Sequence, residues 1–110
     1  MIKYEDFALV DIRSGTLVKA EEFLRALNPA YKVWVNFGEE IGILQISAQI
    51  TKNYTLDAVI GLKVMGCINI GEKNIGGFLY QFLLLGFADD NGNIVLPVIA
   101  SNVLNGQKLF

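Results

Sequence analysis

The segment Tyr31-Lys32-Val33-Trp34-Val35-Asn36-Phe37 alternates strictly between two kinds of side chain. Tyr31, Val33, Val35 and Phe37 face one way; Lys32, Trp34 and Asn36 face the other. That is the period of a half-buried β-strand. Gly38-Glu39-Glu40 turns the chain, and Ile41 to Thr51 repeats the pattern, with Leu44, Ile46, Ala48 and Ile50 opposing Gln45, Ser47 and Gln49. Two such strands joined by a short turn form a hairpin with one apolar face and one polar face.

Working outward, Ile12 to Phe23 reads as a long strand rich in Thr, Val and Leu, with Gly15 as a bend or bulge. Leu24 to Ala30 is a loop punctuated by Asn28-Pro29. On the other side, Asn53 to Gly61 carries helix signals: Thr55 as N-cap, Asp57 in the first turn and Gly61 as terminator. Leu62 to Ile70 and Phe78 to Phe87 are two further strands. The second is apolar on both faces and needs cover from the core on one side and from a second subunit on the other. Asp90-Asn91-Gly92-Asn93 is a hairpin turn leading into Ile94 to Ile99. Tyr4 to Leu9 is expected to form one helical turn that delivers Phe7 to the core, and the apolar end Leu109-Phe110 to be tucked down. A short helix between the third and fourth strands of a five-stranded all-β barrel is the OB arrangement.

At 110 residues the chain is expected to form one domain spanning residues 1–110. It is 53% hydrophobic and 18% charged, more apolar surface than one small core hides. The surplus is expected in a subunit interface or a ligand groove, and a homodimer is the simplest arrangement. Nine basic against eleven acidic residues give a net charge of −2, which disfavours strong non-specific binding to nucleic acid. One cysteine, Cys67, and no histidine exclude a zinc cluster, an intramolecular disulfide and any Ser/His or Cys/His nucleophile. Neither catalytic residues, nor a metal, nor a cofactor are expected. The amino-terminal residues are acidic and do not read as a signal peptide, and no apolar run is long enough to span a bilayer, so a cytoplasmic protein without membrane insertion is expected.

Four pieces in order carry a family resemblance: Asp11-Ile12-Arg13-Ser14-Gly15-Thr16-Leu17-Val18, Pro29-Ala30-Tyr31-Lys32, Ser47-Ala48-Gln49-Ile50-Thr51, and Asn105-Gly106-Gln107-Lys108-Leu109-Phe110. Over about Asp6 to Phe110 the chain resembles the CsaA-type, export-related chaperones, whose tRNA-binding module is also appended to some methionyl- and phenylalanyl-tRNA synthetases. The resemblance implies an OB barrel whose terminal extensions form a dimer interface. It also implies a protein that holds non-native or pre-export polypeptide without ATP; the alternative is a tRNA-binding module acting in trans. The chain departs from the family where charge would meet RNA. Leu44-Gln45-Ile46-Ser47 stands where lysines and serines are usual, Leu27-Asn28 replaces a basic loop, and Tyr80-Gln81 replaces Ser and Glu. Modest tRNA affinity is therefore expected.

The residues assigned to tRNA or peptide binding are Arg13, Lys32, Trp34, Asn36, Gln45, Ser47, Gln49, Asn69, Lys73, Phe78 and Tyr80. An exposed aromatic beside a cation and amides can stack a base or hold an apolar side chain. An ordinary solvated sheet face competes with that reading for the Lys32–Gln49 group. A structural ion pair of Arg13 with Asp11, Asp57 or another carboxylate competes for Arg13. The loop Gly71 to Gly77 lacks the Lys-Ser/Thr of a phosphate cradle. Asn53-Tyr54-Thr55 is a coincidental glycosylation sequon, and Cys67 reads as an inert packed thiol.

Overall fold

The computed structural model describes all 110 residues. The long strand β1 (Ile12–Glu22) is the spine. It pairs antiparallel with β2 (Tyr31–Asn36) through its second half and with β4 (Lys63–Cys67) through its first. β3 (Ile43–Ala48) follows β2 across the Gly38 turn, and β7 (Leu83–Leu84) lies outside β4, so the five strands run β3-β2-β1-β4-β7. Curled into a nearly closed barrel, they form the OB arrangement. Helix α2 (Leu56–Val59) lies between β3 and β4 as expected, shorter than Asn53–Gly61. Thr55 caps it by accepting a hydrogen bond from the Ala58 N–H at 3.2 Å.

Inside the barrel sit Leu17, Val33, Val35, Phe37, Val59, Val64 and Phe82, all essentially without solvent exposure. The alternation of Tyr31 to Phe37 accounts for four core side chains, since each odd-numbered residue of that strand is buried. Phe37 and Phe82 meet edge-to-face at 5.0 Å. Gly66 allows this, because a Cβ there would lie 2.7 Å from Phe37 Cζ and from Phe82 Cδ2.

Three details correct the sequence expectations. The bulge in β1 is at Val18, between Leu17 and Lys19, and not at Gly15. Gly15 is instead a point of close packing, where a Cβ would meet Val35 Cγ1 at 2.5 Å. Helix α1 (Tyr4–Ala8) buries none of its residues, and Phe7 packs beside Tyr4 at 6.4 Å outside the core. The run Phe78 to Phe87 is three short pieces, because the chain bends at Phe82 to send that ring inward. Before the bend, β5 (Lys73–Ile75) and β6 (Phe78–Tyr80) form a separate hairpin; after β7, β8 (Phe87–Ala88) and β9 (Ile94–Val95) form another. Leu83 and Phe87 are 49% and 70% exposed, so the second apolar face of this run is uncovered in the single chain.

The two ends of the resembling sequence meet each other. The tail lies antiparallel to the first half of β1: Ser14 N–H donates to Gln107 O, Gly106 N–H to Ser14 O and Leu109 N–H to Ile12 O, at 2.8–2.9 Å. Arg13 pairs with Asp11 at 2.6 Å and donates to Gly106 O at 3.0 Å, so its guanidinium ties the tail to β1. The hydrogen bond from Arg13, reinforced by the charges of Arg13 and Lys108, holds the Asp11 carboxyl below its ordinary value. The backbone of the tail is thus fixed, while the Phe110 side chain is fully exposed rather than tucked down.

Candidate binding face

The polar faces of β2 and β3 lie side by side. Lys32 is opposite Ser47, Trp34 opposite Gln45, and Asn36 opposite Ile43. On the other flank of β2 the bulge at Val18 brings Lys19 opposite Trp34 and Glu21 opposite Lys32. This row is the floor of the face, and the β5–β6 hairpin roofs one end of it.

A second, small apolar core has formed on this outer surface. Phe78 lies 5.5 Å from Phe23, 6.0 Å from Trp34 and 6.0 Å from Tyr80, each pair edge-on. Phe23 and Phe78 are buried; Trp34 and Tyr80 are half-buried. Two lysines lie over the rings: Lys19 Nζ is 4.5 Å from the Trp34 ring centre, and Lys32 Nζ is 5.0 Å from Phe23 and 5.1 Å from Phe78. Each such contact is worth about 0.5–1 kcal/mol at an exposed site. Lys19 also pairs with Glu21 at 3.3 Å.

Gln45 clamps hairpin to sheet. Its Oε1 accepts from Trp34 Nε1 at 3.0 Å and its Nε2 donates to Leu79 O at 3.0 Å. Its backbone carbonyl accepts from Gln81 N–H at 3.0 Å, and its own N–H donates to Gln81 Oε1 at 3.1 Å. Gln81 Nε2 then reaches Glu72 at 2.9 Å. Trp34 is therefore anchored, its N–H satisfied and its rim partly open.

The assigned residues divide into groups. Lys32, Trp34, Gln45, Ser47, Phe78 and Tyr80 are together on this face, though Phe78 is inside the cluster and offers no free ring. Asn36 is spent on its own turn, accepting from the Gly38 N–H at 2.9 Å. Gln49 lies beyond β3, on the rim of a neighbouring groove. Lys73 is exposed on β5, opposite Tyr80. Arg13 and Asn69 lie elsewhere. Arg13 ties the tail, and Asn69 donates to Leu9 O at 2.7 Å and accepts from the Asp11 N–H at 3.0 Å. Lys19, Phe23 and Arg25 belong to the face in addition to the residues assigned from sequence; the β2 alternation continued across to β1 leads to Lys19, and just past the strand to Phe23, only once the Val18 bulge is known, whereas Arg25 lies in the turn that follows.

Three concavities surround the cluster. A cleft of about 260 Å³ opens between Phe23, Leu24, Arg25, Lys32, the Gly76-Gly77 turn and Phe78. Behind the β1–β2 loop a cleft of about 420 Å³ is lined mainly by Phe23, Leu24, Ala26, Leu27 and Pro29. A groove of about 290 Å³ follows the barrel seam between β3 and β7, over Ile46, Ala48, Ile50, Tyr80, Leu84 and Leu96. No group of three or more His, Cys, Asp or Glu side chains is placed to hold a metal ion, and no helix is long and apolar enough to cross a membrane.

This barrel, with its roofed face and tail-locked first strand, has close structural relatives. The crystal structure of the chaperone CsaA from Bacillus anthracis str. Ames superposes with a TM-score of 0.92 at 38% identity, covering 100% of this chain and 99% of that one. The CsaA chaperone protein from Picrophilus torridus gives 0.93 at 36% identity, with both chains fully covered. Among curated sequences, the methionine–tRNA ligase of Chlorobium chlorochromatii (strain CaD3) is 31% identical over 108 residues, 98% of this chain. The chain spans only about 15% of the length of that ligase. No family model matches the chain. The chain belongs to the CsaA-type tRNA-binding-domain family.

Proposed function

We propose that this protein is a homodimeric, CsaA-like chaperone that holds non-native polypeptide by passive capture. The observation that carries this reading is the neutral, apolar character of the surfaces around the binding face. From Leu44 to Ile50 the lip of the seam groove carries no charge, and the β1–β2 loop presents Leu24 and Leu27 at 88% and 102% exposure. Contiguous apolar surface of this kind favours polypeptide over phosphate. The solved relatives named as chaperones support the same assignment.

Capture without ATP is part of this reading, and the course of Gly71 to Gly77 through the β5–β6 hairpin, rather than a strand-to-helix phosphate cradle, supports it. The exposed Leu83, Phe87 and Val98, with Tyr4 and Leu9 of the amino-terminal segment, supply apolar area for a twofold partner. The free, buried Cys67 fits a reducing, cytoplasmic setting. A non-enzymatic role fits a face on which Trp34, Gln45 and Gln81 spend their polar groups on one another. The test is light scattering from a guanidinium-unfolded client enzyme diluted into buffer without nucleotide. Suppression near one dimer per client is expected; aggregation unchanged at large excess would contradict the reading.

A second reading rests on the cation-flanked cluster. Lys19, Lys32 and Arg25 around Trp34 are suited to a stacked base beside phosphate, and the synthetase relatives point to tRNA. Glu21, Glu22 and Glu72 lie among these cations, so affinity is expected to be modest and to fall steeply with salt.

A further inference from the structure

The seam groove has an unusual lip. Antiparallel pairing sends alternate backbone groups of β3 toward β2 and the rest away from it. Phe37 N–H bonds to Gly42 O, so the register turns Leu44, Ile46 and Ala48 toward β2. Gln45 turns outward, where its carbonyl and N–H meet Gln81. Ser47 must turn outward too, with Gln49 following just past the end of β3, and no strand meets this edge, since β3 is the edge of the five-stranded order. The cause lies in the bend at Phe82. Gln81 reaches β3, but Leu85 N–H donates to Met65 O, so beyond the bend the chain has passed to β4.

Edge strands are ordinarily blunted by lysine, proline or a covering element. This edge has neither lysine nor proline from Leu44 to Ile50, and its one covered position is Gln45, under Gln81. Beside it runs the apolar groove floored by Ile46, Ile50 and Leu96, each nearly fully buried. An open lip of main-chain donors and acceptors at strand spacing, next to apolar sockets, matches one ligand chemistry: an extended polypeptide with alternating apolar side chains. Nucleic acid offers no such ladder.

We infer that the captured polypeptide adds as a strand to the free edge of β3 at Ser47 and Gln49, placing alternate side chains in the seam groove. The inference rests on the polypeptide-holding reading and specifies how the client is held. Recognition then comes from main chain and apolar alternation, so many sequences are accepted.

The test uses the full chain and a fluorescein-labelled peptide, Lys-Val-Thr-Val-Thr-Val-Lys, by fluorescence anisotropy. Two variants carry N-methyl groups either on all valine amides or on all threonine amides. Strand addition predicts that one set weakens binding by about thirtyfold, the weight of two main-chain hydrogen bonds, and that the other leaves it nearly unchanged. Sensitivity of the threonine set marks antiparallel addition, because residues directly opposite Ser47 share its face. Amide exchange at Ser47 and Gln49 slows on peptide binding and is fast without it. Equal binding of all three peptides overturns strand addition. So does slow exchange at both amides before peptide is added, which would mean that a second copy of the chain already occupies the edge. The client light-scattering assay separates the two claims: suppression with an insensitive peptide sinks only the inference, whereas no suppression sinks the holding function as well.

Discussion

Gln45 is the residue on which the shape of the face depends, and Gln45→Ala measures that dependence. The substitution removes two side-chain hydrogen bonds, to Trp34 Nε1 and Leu79 O, both 3.0 Å long and half-buried. The backbone bonds to Gln81 remain. At about 0.5–1.5 kcal/mol for each bond, the loss is about 1–3 kcal/mol. A midpoint loss of ~2 kcal/mol corresponds to a Tm decrease of about 8 °C in a domain of this size. The hairpin that carries Phe78 is held to β3 by this side chain at Leu79 and by the Gln45 backbone at Gln81, so losing the side chain loosens the hairpin beside Trp34 and leaves that ring wetter as well as the fold weaker. Urea unfolding followed by Trp34 emission reads both effects, since Trp34 is the sole tryptophan. The expected result is a lower midpoint, an unchanged slope and a red-shifted native emission. A stability change under about 0.3 kcal/mol with unshifted emission would refute the clamp, because a surface substitution does as little.

Three other perturbations follow from the same geometry. Gly66→Ala forces a methyl against Phe37 and Phe82 at 2.7 Å and should cost about 1–3 kcal/mol in a chemical melt without altering the isolated face. Asp11 has its carboxyl value depressed below 3.8, so its contribution is complete above pH 3.8 and is lost as pH falls through the lower folded value. The destabilisation of Asp11→Asn should accordingly be greatest at neutral pH and vanish in strong acid, as read by melts across that range. Replacing Lys19 and Lys32 together by Gln should reduce the slope of log affinity for tRNA against log salt by roughly 2 if both meet phosphate, while client suppression remains near that of the parent chain.

Much of the barrel is legible in the sequence because its signals are local. The alternation from Tyr31 to Phe37, the Thr55 cap and the Gly92 turn each fix an element within a few residues. The antiparallel meeting of Ser14 with Gln107 is not local, yet both partners fall in the resembling motifs, and the ladder gives those motifs a physical reason. What escaped the sequence are features decided by distant neighbours. Val18 becomes the extra residue of a bulge only because β1 must serve β2, β4 and the tail at once. Phe78 reads as one more strand residue, but Phe23 and Trp34 draw it into a cluster of their own. Phe82 breaks an apolar run that looks continuous, because the space beside Gly66 accepts its ring. The polar alternation of β2 and β3 marks the candidate face in the sequence, whereas the places of Lys19 and Phe23 depend on a register that no periodicity reveals. Arg13, attractive as a groove cation, is held by Asp11 and Gly106 at the opposite duty of fixing the tail.

The central claim is that an apolar, nearly neutral surface beside this face holds polypeptide in preference to RNA. The direct measurement is client light scattering with the protein at stoichiometric dimer, repeated with excess tRNA at low and at high salt. The account predicts suppression in every condition, with tRNA competing only weakly and only at low salt. Loss of suppression on adding tRNA, or none at the outset alongside tight and salt-sensitive tRNA binding, would contradict it.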